Sequence, residues 1–345
     1  MDDLAARGER ELLQRIRARA RFLPSDRLTL GIGDDCALLR LRPGEELAVT
    51  TDLSLDGRHF RLDWHPAESV GHRTLARGLS DLAAMGARPV AAFLSLGLPA
   101  ELIRNAKART WLDGFMEGFF ALAEAHGVPL AGGDLAESPM VVADIVLAGA
   151  IRRGKALLRS GARPGDVLYV TGSLGAAAAG LRRLEKLAGA RISRRTQPAS
   201  LRIPALRIPK ALEAALAAHL YPEPRVAQGL ALVRRSLADA AIDLSDGLST
   251  DLHHLCEESG VAAEIESAAL PIAAGATLAQ ALHGGEDYEL LFAAAPDVRM
   301  PRALAGVAVT RIGRVLRRRA DRPAVRLVGA GGLRPLEPRG WEHFS

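Results

Sequence analysis

Short acidic motifs beside apolar segments constrain this chain more than any other feature of its sequence. Each motif places one or two carboxylates next to Gly, Ser or Thr. The motifs are Gly31–Asp35, Thr50–Asp52, Ser80–Asp81, Gly132–Asp134, Asp243–Gly247 and Gly284–Asp287. Open sheets build ligand sites at strand ends and helix starts, so we expect these carboxylates to project into a shared crevice. Gly and Asp are also ordinary turn formers, and a single motif of this kind fits a simple turn equally well.

A crevice with this many carboxylates needs a source of positive charge. Two carboxylates about 4 Å apart repel each other by roughly 4 kcal/mol at an effective dielectric constant near 20. Water, arginine or a metal ion can offset that repulsion. The recurrence of the motifs therefore predicts a site that binds divalent cations.

Length and composition favour a soluble protein of two domains. The 345 residues are 48% hydrophobic, enough for a sizeable core. We place the domains at 1–151 and 152–345, with the polar stretch Arg152–Gly165 as the linker. The sequence has no run of about eighteen uncharged apolar residues, and its N-terminus lacks the apolar segment of a signal peptide. Its two cysteines, Cys36 and Cys256, suit a reducing compartment. These features predict a cytoplasmic protein that does not bind membranes.

The charge pattern does not favour a nucleic-acid partner. The net charge is +5, but aromatic residues make up only 4% of the chain, which leaves few surfaces for stacking bases. We interpret the basic run Arg317–Arg319 as a solvated loop. The sequence also has no lysine in a Gly-Lys-Ser/Thr context, which disfavours a Walker-type nucleotide site.

Hydrophobic periodicity predicts a mixed α/β fold. The predicted helices are Glu11–Phe22, Pro66–Met85, Ile103–His126, an alanine-rich helix after Gly175 and a helix that begins near Leu248. The predicted strands are Glu46–Thr51, Val90–Leu98, Val128–Ala131, Val141–Ile151, Val167–Thr171, Ala240–Leu244 and Leu290–Ala294. Asp52 should then stand at the end of one strand, and Gly132–Asp134 should follow another. The basic segment 182–209 is expected to be irregular, and we assign it no chemistry.

Several of these residues keep an ordinary structural alternative. Asp81 lies four residues after Arg77 on the predicted helix, so the two side chains could simply form an ion pair. Asp246 with Gly247 could be a turn and a helix N-cap. Arg159 could bind phosphate or lie solvated in the linker. Asp52 and His59 could flank one site.

The motifs together resemble the thiamine-monophosphate kinase family, within the wider superfamily of aminoimidazole-ribotide synthetase-like proteins. The resemblance rests on the six acidic motifs, on Thr50–Asp52 followed by His59 and Phe60, on Leu79–Gly86, and on the terminal segment Gly340–Phe344. These motifs occur in order along nearly the whole chain. The chain departs from the family pattern at Arg77, Gly78, Leu135 and Ala136.

The resemblance implies ATP-dependent phosphorylation of thiamine monophosphate to thiamine diphosphate. It implies a two-domain fold whose N-terminal sheet forms a barrel in a homodimer, with an α/β C-terminal domain. The implied magnesium ligands are Asp35, Thr50, Thr51, Asp52, Asp81, Asp134, Asp243 and Asp246. The implied ATP contacts are Gly133, Asp134, Arg159 and Ser245. The implied contacts to thiamine monophosphate are His59, Glu286 and Trp341.

The chemistry of the implied acceptor requires no catalytic base. A phosphate monoester with a second pKa near 6 is already largely dianionic at pH 7, so we assign no base. Three alternatives remain open from the sequence. They are another ATP-using member of the superfamily, a metal-dependent phosphohydrolase, and a nucleotide-binding regulator without turnover.

Overall fold

The computed structural model of the protein describes residues 12–20, 23, 25–104, 106–192, 208 and 210–341. These residues form two compact units. The first unit takes the described residues of Met1–Gly78, Pro89–Ala150 and Leu184–Glu213. The second takes those of Leu79–Arg88, Ile151–Arg183 and Ala214–Ser345. The mixed α/β fold expected from the sequence is confirmed. The domain boundary at residues 151 and 152 stays a prediction.

The first unit is built on a four-stranded sheet. Its strands are β3 (Glu45–Leu55), β4 (Arg88–Leu98), β5 (Leu130–Glu137) and β6 (Val142–Arg152), in the order β3-β6-β4-β5. Strands β4 and β5 run parallel. A small antiparallel pair, β1 (Leu28–Leu30) and β2 (Leu38–Leu39), precedes the sheet. The acidic loop 31–35 therefore lies between two short paired strands.

The helices of the first unit are α1 (12–20), most of α2 (Ala67–Ala84), α3 (Ala100–Arg104) and α4 (Ala106–His126), and the residues of α2 from Leu79 onward belong to the second unit. Three phenylalanines of α4 are fully buried, namely Phe115, Phe119 and Phe120. Helices α2 and α4 pack closely because Gly71 abuts the carbonyl of Phe115 and Gly118 abuts that of Glu68. A side chain at either glycine would force the helices apart.

The second unit is built on an eight-stranded, mainly antiparallel sheet. Its strands are β7 (Val167–Thr171), β8 (Ala240–Asp243), β9 (Val261–Glu266), β10 (Leu290–Ala294), β11 (Ala303–Leu304), β12 (Val307–Arg317), β13 (Val325–Gly329) and β14 (Gly332–Pro335). Seven of them follow the order β14-β13-β9-β12-β7-β10-β8, and β11 pairs with β12. Strands β13 and β9 are parallel. Strands β8 and β10 lie side by side, which brings two acidic motifs together.

The remaining helices are α5 (Ala176–Ile192), α6 (Lys210–Leu220), α7 (Val226–Arg234), α8 (Leu248–Glu258) and α9 (Leu278–His283). Helix α8 shows how the sequence directs packing. Leu248, Leu252, Leu255 and Cys256 recur at helical spacing and are all buried in the core of this unit. The N-terminus of α8 is thereby fixed directly after β8.

Three details of the sequence interpretation were wrong. Strand β3 extends to Leu55, so Asp52 lies inside the strand and not at its end. Strand β5 extends to Glu137 and contains Gly132–Asp134. Helix α5 continues to Ile192, so the first part of segment 182–209 is helical. Residues 193–207 and 209 lie outside the described residues, as do the ends of the predicted helix Glu11–Phe22.

The stretch Arg152–Gly165 is also more ordered than a linker. It contains a 3₁₀ turn, Arg159–Gly161, and Leu158 forms an isolated bridge with Ala240. The hydroxyl of Ser259 donates to the carbonyl of Arg159 and accepts from the amide of Ala162. This stretch is therefore part of the second unit.

Among the described residues, no helix has the combination of length and apolar character needed to cross a lipid bilayer.

Candidate functional site

In the first unit, strand β3 directs Thr50 and Asp52 toward helix α2. Residues 50 and 52 share one face because side chains alternate along a strand. Gly78 of α2 lies against Leu147 and Thr50. Arg77 of the same helix donates to Oδ1 of Asp52, over 3.0 Å from Nη2 and 3.3 Å from Nε. A guanidinium group therefore compensates the charge of Asp52.

Thr51 points to the opposite face of the same strand. Its hydroxyl donates to Oδ1 of Asp144 on β6 over 3.1 Å. The family resemblance implies Thr50, Thr51 and Asp52 as one ligand set. Strand alternation separates the Thr51 hydroxyl from the other two side chains.

Asp35 and Asp134 are both exposed acidic residues of the first unit. Asp35 lies in the loop between β1 and β2, where Gly33 has a φ of 134° and the amide of Asp35 donates to Oδ1 of Asp34. Asp134 lies on β5, opposite Ser95 of β4. Its Oδ1 accepts from the amide of Leu135 over 2.9 Å. Both carboxylates are accessible to a cation from solvent.

Gly133 shows why the Gly132–Asp134 motif needs a glycine. Its φ is 146°, and a Cβ there would collide with the carbonyl of Leu94. The strand can pass this close to β4 only without a side chain.

His59 lies in the turn that follows β3. Its Nδ1 accepts from the amide of Leu55 over 3.1 Å, and its carbonyl accepts from Arg73. These contacts fix the ring and backbone of His59 relative to β3. Its shared site with Asp52 stays a prediction.

In the second unit, Ser80 and Asp243 connect two of the acidic motifs. The hydroxyl of Ser80 donates to Oδ2 of Asp243 over 2.7 Å. Asp243 ends strand β8 and is only 3% exposed. Asp81, the next residue after Ser80, is half-buried. The hydrogen bond brings the Ser80–Asp81 and Asp243–Gly247 motifs together.

Asp251 is an acidic residue that the sequence analysis missed. It lies in the first turn of α8, is 1% exposed, and accepts from the amides of Asp246 and Gly247 over 3.2 and 2.9 Å. Burial raises its pKa well above the usual range, and the charges of Asp243 and Asp246 raise it further. The signal in the sequence was a carboxylate in the first turn of a helix that follows an acidic loop.

The segment 284–288 is tied to the 243–247 loop by main-chain hydrogen bonds. The amide of Glu286 donates to the carbonyl of Ser245 over 2.7 Å, and that of Tyr288 donates to Leu244 over 2.9 Å. Glu286 and Tyr288 have φ values of 68° and 51°, which non-glycine residues rarely adopt. Such strain persists where the surrounding structure imposes it, commonly at functional sites.

His219 of α6 is a second residue that the sequence analysis missed. Its Nδ1 lies 3.6 Å from Oε2 of Glu286, and its side chain is buried. Only the fold brings these residues together, because 67 positions separate them in the chain.

Two further acidic residues hold the 284–288 segment in place. Asp287 accepts from the amides of Gly175 and Ala177 at the start of α5, over 2.5 and 3.0 Å. Burial raises its pKa to about 6, against the opposing effect of these hydrogen bonds. Glu289 accepts from the hydroxyl of Thr171 and from two nitrogens of Arg225. Asp287 and Glu289 therefore anchor this segment, whereas the carboxylate of Glu286 lies beside His219.

The C-terminal tail reaches the same loop. The amide of Trp341 donates to the carbonyl of Asp246 over 3.1 Å, and the residue is 47% exposed. Ser245, Asp246, Glu286 and Trp341 are thus brought together in the second unit. Residues 342–344 of the terminal motif lie outside the described residues.

Arg159 is exposed on its 3₁₀ turn in the second unit. Ser259 fixes the turn by donating to the carbonyl of Arg159, a bond that does not involve the guanidinium group. Its role as a phosphate ligand stays a prediction.

The donor chemistry fits magnesium. The proposed side chains offer carboxylate and hydroxyl oxygens, which Mg²⁺ prefers, and exposed positions leave room for the waters it retains. Across the described part of the chain, no group of three or more His, Cys, Asp or Glu side chains is arranged to hold a metal ion.

Comparisons with known proteins identify the family. The N-terminal domain of AIR synthase related proteins matches residues 33–151, and the C-terminal domain of the same family matches residues 163–326. The chain is 38% identical over 352 residues to the thiamine-monophosphate kinase of Escherichia coli (strain K12), covering 98% of each protein.

Solved structures give the same result. The thiamine-monophosphate kinase of Stenotrophomonas maltophilia K279a has a TM-score of 0.74 and 39% identity, over 91% of this chain and 94% of that one. The structure of AaThiL complexed with AMPPCP and TMP has a TM-score of 0.71 and 29% identity, over 95% and 96%. This chain therefore belongs to the thiamine-monophosphate kinase family of AIR synthase related proteins.

Proposed function

We propose that this protein transfers the γ-phosphoryl group of ATP to thiamine monophosphate and forms thiamine diphosphate. The observation that carries the proposal is 38% identity to a thiamine-monophosphate kinase over 98% of both chains. The likeness to AaThiL, complexed with AMPPCP and TMP, supports the same pair of substrates. The convergence of Ser245, Asp246, Glu286 and Trp341 supplies a place in the second unit for polar and aromatic contacts to them.

In this proposal the acidic residues of each unit hold magnesium. Asp35, Thr50, Asp52 and Asp134 would do so in the first unit, and Asp81, Asp243 and Asp246 in the second, while Thr51, whose hydroxyl bonds to Asp144 on the opposite face of β3, is left out. When bound, Mg²⁺ would screen the phosphates of donor and acceptor, whose mutual repulsion is the main obstacle to this reaction.

The residues of the chain supply positioning. Gly133, Asp134, Arg159 and Ser245 contact ATP in the proposal, and Arg159 adds positive charge for a phosphate. His59, Glu286 and Trp341 contact thiamine monophosphate, whose cationic thiazolium ring suits both a carboxylate and an indole face. Since the acceptor phosphate is already anionic at pH 7, alignment and charge stabilisation dominate catalysis and no base is assigned.

The exposed face of β3 supports the proposed homodimer. Leu47, Val49 and Leu53 project from the face opposite Asp52, and each is between 47% and 61% exposed. In the sheet order, β3 is also an edge strand. An edge strand with exposed apolar side chains is a common site of association between chains. We propose that a second copy of the chain covers this face, and that the protein acts in the cytoplasm.

A matched pair of assays tests the activity. ATP consumption is measured with and without thiamine monophosphate, and thiamine diphosphate is quantified in the same samples. A kinase consumes ATP only with the acceptor and forms the diphosphate in equal amount. ATP hydrolysis without the acceptor would instead identify a phosphohydrolase, and binding of ATP without consumption would identify a regulator.

A titration tests the dependence on metal. Without a P-loop lysine, the triphosphate must be held largely through magnesium, so ATP binding measured by calorimetry should disappear in excess EDTA. Binding of undiminished affinity under EDTA would contradict the assignment of the acidic residues to magnesium.

A further inference from the structure

The C-terminal tail is fastened to the first turn of helix α8 by a series of main-chain hydrogen bonds. The amide of Arg339 lies 3.4 Å from the Ser249 hydroxyl, and that of Gly340 donates to Oγ1 of Thr250 over 2.9 Å. The amide of Trp341 donates to the carbonyl of Asp246 over 3.1 Å. Three consecutive tail residues therefore bond to the segment 246–250.

The fit at Gly340 is too close for any other residue. A Cβ at Gly340 would lie 2.1 Å from the carbonyl oxygen of Asp246 and 2.5 Å from Oγ1 of Thr250. Both distances are far inside van der Waals contact. A larger residue would push the tail off the helix.

Thr250 is the side chain on which this attachment depends. It is 4% exposed, and its own amide donates to the carbonyl of Gly247. The position of the hydroxyl is therefore set by the start of α8. Asp246 lies in the loop just before α8. The bond between Thr250 and Gly340 therefore helps to hold Trp341 beside this acidic loop.

We infer that Thr250 is a positioning residue that holds Trp341 in place for the acceptor. The inference rests on the proposed function, in which Trp341 contacts thiamine monophosphate. Thr250 itself touches neither substrate nor metal in this scheme. Its hydroxyl fixes Gly340, and the fixed Gly340 determines where the exposed indole of Trp341 stands.

The decisive comparison is Thr250→Val against Thr250→Ser. Valine keeps the shape of threonine and removes the hydroxyl, whereas serine keeps the hydroxyl. Thr250→Val should raise the KM for thiamine monophosphate roughly 2- to 13-fold, the range that one hydrogen bond allows, with the KM for ATP nearly unchanged. Thr250→Ser should stay close to the wild type. A general folding defect would instead alter both KM values together.

Hydrogen exchange of the tail supplies a readout independent of activity. In Thr250→Val the amides of Gly340 and Trp341 should exchange roughly 2- to 13-fold faster, the same range as for KM. In Thr250→Ser they should exchange at the wild-type rate. Gly340→Ala should accelerate the exchange of Trp341 further. Unchanged exchange in Thr250→Val would overturn the attachment, and faster exchange with an unchanged KM for thiamine monophosphate would overturn the positioning role.

Trp341→Ala separates this inference from the proposed function. Cation–π and stacking terms predict that it raises the KM for thiamine monophosphate roughly 2- to 30-fold. Adding Thr250→Val to Trp341→Ala should then have no further effect. If Trp341→Ala alone leaves that KM unchanged, the proposed contact fails and the positioning role with it, while the exchange data still decide whether Thr250 holds the tail.

Discussion

Asp52 of the first unit is held by different contacts from Asp243 and Asp251 of the second. In the first unit Asp52 is half-buried and paired with Arg77, and Asp35 and Asp134 are exposed to water. In the second unit Asp243 and Asp251 are almost fully buried and accept hydrogen bonds from a serine hydroxyl and from main-chain amides. A guanidinium group cancels charge, whereas a neutral donor only solvates it. The charge of Asp52 is thus offset by an arginine of its own unit.

The acidic residues of this protein therefore differ in how far water reaches them and in how firmly the fold holds them. Water-exposed carboxylates keep their hydration and adapt to a ligand at small cost. Buried carboxylates are fixed by the fold, and the like charges of Asp243 and Asp246 already raise the pKa of Asp251. A bound cation would reduce the repulsion between these carboxylates. We therefore expect kcat to fall more when an acidic residue of the second unit is replaced than when one of the first unit is.

The largest expected effect follows from removing Asp243. Asp243→Asn should lower kcat by about 100- to 1,000-fold, the range typical for loss of one electrostatic group in a preorganised site. The measurement is the steady-state rate of thiamine diphosphate formation at saturating magnesium. Asp321→Asn, which removes an exposed carboxylate in the same unit, is the matched control and should retain full activity. Wild-type turnover in Asp243→Asn would remove Asp243 from the site.

Burial in the second unit should also appear in the pH dependence of stability. The folded pKa of Asp287 is about 6, above its unfolded value near 4. The folded protein therefore binds the proton more tightly, and this group makes stability fall as pH rises from about 4 through 6. Relative to Asp287→Asn, the wild type should gain at most about 3 kcal/mol between pH 7 and pH 4.5. Urea unfolding at several pH values measures this, and parallel curves for the two proteins would contradict it.

The contacts of Asp52 and Asp243 predict different effects on the melting temperature in the absence of metal. Asp52→Asn leaves the Arg77 guanidinium without its carboxylate and should lower the melting temperature by about 2 to 4 °C, which corresponds to about 1 kcal/mol. Asp243→Asn removes a charge that disfavours ionised Asp251 and should leave the melting temperature equal or higher. Thermal scans in EDTA compare the two variants. A fall of the same size in both would mean that the two sites do not differ.

The sequence predicted where the strands of the acidic motifs end more accurately in the second unit than in the first. Strand β7 spans the predicted Val167–Thr171, and β8 ends at Asp243 just before α8 begins at Leu248. Each of these strands is a short apolar run that ends at a turn, so local pattern suffices. Strand β3 continues past Asp52, a residue type that is depleted in strands, because pairing with β6 in the sheet is not local and outweighs that preference.

The supporting residues could not be predicted for the same reason. Asp287 bonds to amides about 110 positions away, and His219 meets Glu286 only through the packing of α6. Asp251 differs, because a carboxylate in a first helical turn is a local signal. Sequence motifs therefore identified the residues proposed to contact ligands, while most of the residues that hold them are set by long-range contacts.

The smallest expected effect concerns Arg77, the arginine that offsets the charge of Asp52. Its guanidinium donates twice to Oδ1 of Asp52, so any cation that binds this oxygen must share it or displace the arginine. Arg77→Met keeps a long apolar side chain and removes the charge. It should strengthen binding of Mg²⁺ or Mn²⁺ roughly 3- to 10-fold at low salt, because a half-buried ion pair is worth about 1 kcal/mol. Calorimetric titration measures the affinity, with Arg15→Met as a control that removes an exposed arginine paired with Asp113 in the same unit. Weaker metal binding in Arg77→Met would mean that the arginine orients Asp52 for the cation instead of competing with it, and the charge-compensation account of the first unit would be wrong.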